Sequence, residues 1–504
     1  MGLMKWSDLT LTVNTDGSPL YKSSNASIWP IQLSINELPQ PHRNANTFLA
    51  GLWLGGNTLI WLFYWEVCES LTDGWGDCVW QHGAVDLISR VYLACVCVDA
   101  PARAAVGNQT QFNGCFGCPW CLACGTLQEG RRLYINSEPP APERTAAGIR
   151  RDMKLAMELQ TPVNGLKGPS AFWPLQYLDL VECYTVEYMH CVLLGVTRQF
   201  TEYGRPSTLN FLNRRLKGIQ PPHHITRLPR SIQERHFWKA HEWRNWLLYY
   251  CLPCCQNTLP SPYMKHFAIL SEAIFLLLQE QLSPPAIAQA DNLLRRFVNR
   301  AAALYSDRCM TFNVHQILHL ARAARNFGPL WAHSAFGFES GNGQLVKLVT
   351  AANGVPEQIL ERVILSQELK LLLCSTAIPL TTKQLCHDFL HYPNVEKAQH
   401  IQEPLDLVTT EGSETPSTTD AKCHRKDCTP NGWVEGGSTN VAQPPPLRVN
   451  PYDLLSQMAR SVTTMHYVRT SLRTASKQRL KQVTPPALFS SKSSLSRAQE
   501  VFCK

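Results

Sequence analysis

No secretory core follows the first methionine. Met1-Gly-Leu-Met-Lys leads into a polar, alternating segment, where an exported chain shows an apolar run closed by small residues. The expectation is a reducing compartment, in which the nineteen cysteines read as metal ligands or core thiols rather than disulfides. A membrane-length apolar run is missing too. The nearest approach, Phe48 to Trp65, holds three glycines plus Asn57 and Thr58 and has no basic flank. A buried helix or strand pair is expected there, and no transmembrane segment. Internal repeats are absent, which argues against a solenoid or propeller. Strong charge of one sign is also lacking. Charged residues make up 17% of the chain and the net charge is +8, which permits a polyanionic partner without requiring one.

What is present is enough for a large core. A chain of 504 residues, 44% of them hydrophobic, accommodates two or three domains. Leu9-Thr-Leu-Thr-Val-Asn-Thr-Asp16 alternates strictly, predicting a strand with Asp16 near its C-terminal end. Trp29 to Leu38 alternates again, so the two strands are expected to form a hairpin or meander. Val91 to Val98 is apolar on both faces, as a central, covered strand is. It ends at Asp99, and Pro101 fits the first turn of a following helix. Asp99 therefore reads as an N-cap or as a site residue at a strand's carboxyl end.

From Gln128 to Arg325 the pattern is mainly helical, clearest at His236–Tyr250, His266–Gln281 and Asp291–Leu304. The run around Arg235, Trp238, Lys239, Trp243 and Arg244 suits either a nucleic-acid backbone or an amphipathic helix burying its tryptophans. Residues 402–450 are rich in Ser, Thr, Pro and Gly, and a basic tail follows. Cys423-His-Arg-Lys-Asp-Cys428 is a weak metal pattern.

Two segments carry the chemistry. Cys118-x2-Cys121 supplies one chelating pair for zinc, and His315-x3-His319 sets two imidazoles on one helix face. Cys115 and Cys124 extend the first run, so a local four-cysteine site is the alternative to the split site. A zinc link between the segments would bring Asp99 and Glu339 together, and paired carboxylates bind divalent metal.

Several ordered motifs resemble the CACTA-type (EnSpm-related) cut-and-paste DNA transposases. They are Asp16-Gly-Ser-Pro-Leu-Tyr-Lys-Ser-Ser, Trp29-Pro-Ile-Gln with Asn36-Glu-Leu-Pro, and Asp99-Ala-Pro-Ala-Arg-Ala. Gly117-Cys-Pro-Trp-Cys, Glu187-Tyr-Met-His190-Cys-Val-Leu-Leu-Gly, and Asn313-Val-His-Gln-Ile-Leu-His-Leu with Phe338-Glu339 complete the set. The similarity covers about residues 8–375. It implies an α/β fold: a ribonuclease H-like mixed sheet with flanking helices, interrupted by a large, mostly α-helical insertion. The implied domains are a first core part with the cysteine segment (1–126), the helical insertion (127–325), a second core part carrying Glu339 (326–380), and a linker and basic tail, largely disordered (381–504).

The same resemblance implies an acidic triad of Asp16, Asp99 and Glu339 holding Mg²⁺ or Mn²⁺, with His190 near the scissile phosphate. The catalytic core of the V(D)J recombinase is distantly similar. Its Cys-x2-Cys pair and its histidine pair support Cys118, Cys121, His315 and His319 as structural zinc ligands. The implied partner is double-stranded DNA, both transposon ends and target, in the nucleus, with a homo-oligomer as the active form. Three departures keep a second expectation open, a domesticated derivative that binds DNA or protein. Fifteen residues precede Asp16, leaving no separate N-terminal DNA-binding domain in this sequence. Thr197–Tyr203 runs directly into Gly-Arg-Pro-Ser, where relatives have a longer connection. Glu187 stands where aspartate or cysteine is more usual.

Overall fold

The computed structural model describes residues 8–20, 27–54, 78–82, 85–136, 138–203, 209–222, 225, 227–374 and 378–391. The second half of the Phe48–Trp65 stretch, the 402–450 linker, Cys423, Cys428 and the basic tail lie outside them. The protein is mixed α/β, mainly helical with one small mixed sheet. It divides into a large compact unit holding Met1–Glu368 and a smaller one beginning at Leu369. The smaller unit contains the helix Leu380–His391.

Alternation places β1 (Leu9–Asn14) in the sheet with Leu9, Leu11 and Val13 buried. Thr12 and Asn14 are buried as well, so both faces of the strand are covered. The antiparallel partner is β3 (Ser27–Ile35), with Leu11 opposite Ile35, as the hairpin reading expects. β2 (Ser18–Pro19) and β4 (Phe48–Leu54) pair with β3 as well. Phe48 and its neighbours are therefore a sheet strand. β5 (Cys78–His82) and β6 (Val85–Ser89) form a separate hairpin. β7 (Val91–Val96) then returns parallel to β1.

The apolar run of β7 suggests a central strand, but its place is at the side of the sheet. Beyond it, among the described residues, comes only the single parallel bridge Val96–Tyr184. Phe327 and Phe338 pack on Cys95 and Cys97 at and just past its C-terminal end, where Val96 and Val98 are buried as well. An all-apolar stretch reports coverage and does not say which neighbour provides it.

After β7 the chain enters α1 (Ala100–Val106). It then forms the small hairpin of β8 (Thr126–Gln128) and β9 (Arg131–Leu133) and becomes helical. α2 (Met189–Thr197) has π-type winding. α3 (Ser261–Leu277) and α4 (Pro284–Tyr305) pack along each other, with the His266 ring stacked on Phe297 at 4.1 Å. α5 (Phe312–Gln316) tightens into a 3₁₀ turn and continues as α6 (Leu320–Phe327). α7 (Phe336–Lys347) and α8 (Val355–Cys374) return to the sheet, with Leu345, Val355 and Ile359 against Ile28, Leu49 and Leu52.

One helix starts later than its pattern suggests. His236–Tyr250 begins in a 3₁₀ turn, is extended at Trp238 and Lys239, and becomes α-helical at Ala240. The break lets Trp238 pack on Trp243 and Trp246, with centroids 4.9 and 5.8 Å away. All three indoles are buried, so the aromatic half of this run serves the core, while Lys239 and Arg244 remain exposed. No helix among the described residues is long and apolar enough to cross a membrane.

Candidate functional site

The cysteine run and the histidine helix meet. Cys118 Sγ lies 3.6 Å from His319 Nε2, and Cys121 Sγ lies 3.3 Å from His315 Nε2. All four ligand atoms fall within 4.8 Å of one another, and all four residues are buried. Tetrahedral zinc with ordinary Zn–S and Zn–N bonds separates its ligand atoms by roughly 3.3–3.8 Å. The donor set, spacing and burial therefore fit a structural metal such as zinc. Burial pushes the Cys118 thiol up, but its hydrogen bond with Cys121 and the facing imidazoles bring it well below its ordinary value. Cys121 is raised by that same hydrogen bond. A metal ion bound here would displace the thiol protons of both cysteines.

The local four-cysteine alternative is not what forms. Cys115 and Cys124 are joined in a disulfide, with Cα atoms 4.4 Å apart. This corrects the expectation that clustered cysteines here are ligands or core thiols alone. The run folds back on itself, turning Cys118 and Cys121 inward and leaving the outer pair facing each other.

Three neighbours brace the cluster. Arg144 donates to the carbonyls of Cys118 and Cys121 at 2.9 and 3.2 Å. The Trp120 ring stacks on His319 and the Tyr134 ring on His315, at 5.2 and 5.0 Å. Arg103, buried on α1, reaches toward the same place. Its guanidinium sits 4.8 Å from the Trp120 ring centroid and donates to Gln316 Oε1 at 2.6 Å. The helix that follows Asp99 is thereby tied to the helix carrying His315.

A second cluster lies where the parallel strands β1 and β7 end. Asp16 follows β1, Asp99 follows β7, and Glu339 occupies the first turn of α7. The carboxyl groups of Asp16 and Glu339 hydrogen-bond to each other. His190 Nε2 is 3.7 Å from Glu339 Oε1, and its Nδ1 donates to Glu187 Oε2 at 2.8 Å. Asp99 also caps α1, accepting from Ala102 N at 2.7 Å. The N-cap reading is thus correct for its backbone partner, while its charge acts on Asp16 and His190.

Burial and then Asp16 push the Glu339 carboxyl up to about 7. Asp16 is raised by burial and by Asp99, and Asp99 by burial. Burial lowers His190, but the hydrogen bond and charge of Glu187 lift it to about 9. Three crowded carboxyls above their ordinary range are a site where a cation would replace protons.

Glu187 organises both sides. It is buried and accepts from the backbone N–H groups of Met189, His190 and Ala335 at 2.9, 2.7 and 2.8 Å. Burial raises this carboxyl, yet His190 and these donors hold it below its usual range. It fixes the start of α2 and the start of α7 together, and so sets His190 against Glu339. The Glu-x2-His spacing signals the first contact; nothing local signals the bond to Ala335.

Beside Asp99 and His190 opens a pocket of about 460 Å³. It is lined by Asp99, Pro101, Arg103, Glu187 and His190, and by Phe112, Asn113 and Gly130–Leu133. Compared with known proteins, the chain matches no protein-family model and no curated sequence.

Proposed function

We propose that this protein is a transposase-like nuclease. Its reaction is metal-dependent cleavage of DNA phosphodiesters followed by strand transfer. The observation that carries this reading is the convergence of Asp16, Asp99, Glu339 and His190 just past the carboxyl ends of two adjacent parallel strands, where α/β sheets gather their chemistry. The sheet order supports a ribonuclease H-like core. Four antiparallel strands, one of them only two residues long, are followed by a parallel one, and the bridge Val96–Tyr184 stands where a further parallel strand would pair. The helices between Ala146–Leu159 and α6 would then be the insertion between the second and third acids.

Asp16, Asp99 and Glu339 are the residues that would hold Mg²⁺ or Mn²⁺, since these ions take hard oxygen donors and leave positions for phosphate. When bound, such ions activate the attacking oxygen and neutralise the leaving one. The chain's own groups do the rest. Glu187 keeps His190 protonated at neutral pH, with its Nε2–H directed to the carboxylate side of the site. A cation there can meet a non-bridging phosphate oxygen as negative charge builds on it. The Cys118–Cys121–His315–His319 cluster, with zinc, holds the segments after Asp99 and before Glu339 in register. The substrate is double-stranded DNA in the nucleus, and a homo-oligomer would engage two ends together.

The test is cleavage of linear duplex DNA by the purified chain with Mg²⁺ or Mn²⁺, compared with Asp99→Asn and Glu339→Gln. Asparagine retains the N-cap of α1, so the Asp99→Asn variant separates chemistry from folding. Cleavage by the wild type, lost in both variants, supports the nuclease. Equal activity in all three removes these carboxyls from the mechanism. DNA binding without cleavage by the wild type assigns the protein to the non-enzymatic derivatives.

A further inference from the structure

We propose that the pocket beside Asp99 and His190 receives one unpaired deoxynucleotide next to the scissile phosphate, with its base on Phe112 and its phosphate toward Arg131. The inference rests on the DNA-cleaving reading above and adds what state of DNA the site accepts.

Size comes first. About 460 Å³ lies within the range of cavities that enclose small ligands. It admits a single nucleotide, and a base pair with both backbones would not enter. A base reaching this depth has left the stack of its duplex, as in enzymes that act on extruded nucleotides.

The lining residues differ in charge and in what already engages them. Asp99 and Glu187 are among the pocket's lining residues, and acids repel a phosphate. Arg103, Arg131, Arg132 and Arg308 line it too, and Arg103 is committed to Gln316 Oε1 and the Trp120 ring. Arg132 is committed to the carbonyls of Asn113, Cys124 and Gly125, and Arg308 is paired with Glu129. Arg131 is exposed on β9, and its guanidinium has no hydrogen bond or ion pair among the described residues. A phosphate is drawn to the arginine rim, and the uncharged base is the part that can occupy the interior.

The lining also offers a stacking surface. Phe112 lies nearly parallel to Phe312, with centroids 6.0 Å apart and planes at 28°. Phe312 is buried and opens the helix carrying His315. Phe112 is 39% exposed, so the ring rests on a fixed partner and offers its remaining surface to the pocket. Asn113 beside it lines the pocket with an exposed amide that bonds no described residue and can meet the polar edge of a base. An exposed aromatic, a polar edge group and a rim cation are the parts of a single-strand nucleotide site.

The experiment uses the full zinc-loaded chain with Ca²⁺ in place of Mg²⁺, so that DNA is held and not cut. Fluorescence anisotropy compares a fully paired 30-base-pair duplex with the same duplex carrying one unpaired central nucleotide. The wild type should bind the bulged duplex about tenfold more tightly, the size of one base–aromatic stack. Phe112→Ala should abolish that preference and leave binding of the paired duplex unchanged. Circular dichroism and zinc content confirm that this surface variant is folded. Equal binding of both duplexes by the wild type, or a preference surviving in Phe112→Ala and Asn113→Ala, overturns the pocket and leaves the nuclease reading standing. Failure to bind either duplex overturns the nuclease reading and this inference with it.

Discussion

Glu339, in the first turn of a helix late in the chain, shares a hydrogen bond with Asp16, just past the first strand. Two carboxyls can hold that bond only while a proton sits between them. Without a cation, Glu339 titrates at about 7 instead of 4.5, so between those values the folded protein keeps a proton that the unfolded chain has released. Unfolding then releases protons, and stability falls as pH rises. His190, lifted from 6.5 to about 9, has the same sign over the next interval: its stabilisation is full below 6.5 and gone above 9. The zinc-loaded, Mg²⁺-free protein should therefore melt at progressively lower temperature from pH 6 to pH 9. Glu339→Gln should flatten the lower half of that decline. A melting temperature constant or rising over this range would mean that the two carboxyls do not share a proton.

The cluster of Cys118, Cys121, His315 and His319 is expected to hold one zinc ion per chain. Binding at such a site is worth on the order of 10 kcal/mol in small zinc domains, and here it joins segments far apart in sequence. Cys118→Ser and His319→Ala should each abolish zinc content, measured by plasma mass spectrometry. Melting should fall by roughly 10 °C or more, at about 2–4 °C per kcal/mol for large domains. Cys115→Ser should keep its zinc, because Cys115 is bonded to Cys124. Full zinc in Cys118→Ser would move the site elsewhere.

Short-range spacing is what made these sites legible. Cys-x2-Cys and His-x3-His announce chelating pairs because the geometry is set within one turn. Asp99 announces itself because an apolar strand stops beside it, whereas Asp16 and His190 enter the site only through the resemblance to the transposases, and Glu339 through that resemblance and the expected zinc link. The supporting residues carry no such signature. Arg144 grips the carbonyls of Cys118 and Cys121, and Arg103 lies between the Trp120 and Phe312 rings. Both are contacts between distant segments, and in sequence each arginine is simply a charge. The Cys115–Cys124 bond was hidden for another reason: compartment predicts the fate of cysteines on average, whereas the fold of one tight turn decides a particular pair. The apolar pattern of β7 does not give its place in the sheet, because burial by helices and burial by strands leave the same pattern.

Glu187 offers a test of positioning apart from catalysis. Its carboxylate accepts from three backbone N–H groups and the His190 ring. Glu187→Gln turns one acceptor oxygen into an N–H₂ facing donors, at a cost of about 1–3 kcal/mol. It also removes the charge that lifts His190 to about 9. The His190 ring, followed by NMR through its Cε1–H signal, should titrate closer to the ordinary 6.5, and any DNA cleavage should lose its alkaline limb. An unchanged His190 titration would show that Glu339 and Asp99, rather than Glu187, keep the ring charged.

Gly341 tests whether α7 is seated on the sheet by the residue beneath it. Replacing an interior helical glycine by alanine ordinarily stabilises by up to about 1 kcal/mol. Here the new Cβ would come 2.3 Å from Gln32 Oε1. Gln32 cannot step aside freely. It is buried on β3, and its amide donates to Asn342 Oδ1 at 2.6 Å and to the Phe338 carbonyl at 3.2 Å. Those two acceptors flank Glu339 on the same helix, so relieving the clash means lifting the turn that carries the carboxyl. Gly341→Ala should destabilise by about 1–3 kcal/mol and return the Glu339 carboxyl toward its ordinary range as it parts from Asp16. In a Gln32→Ala background the same substitution should be neutral or stabilising, because the obstructing oxygen is gone. The double-mutant cycle isolates that coupling. Equal effects of Gly341→Ala in both backgrounds would show that α7 does not rest on Gln32, and the position of Glu339 would then have to come from Glu187 and its bond to Ala335 alone.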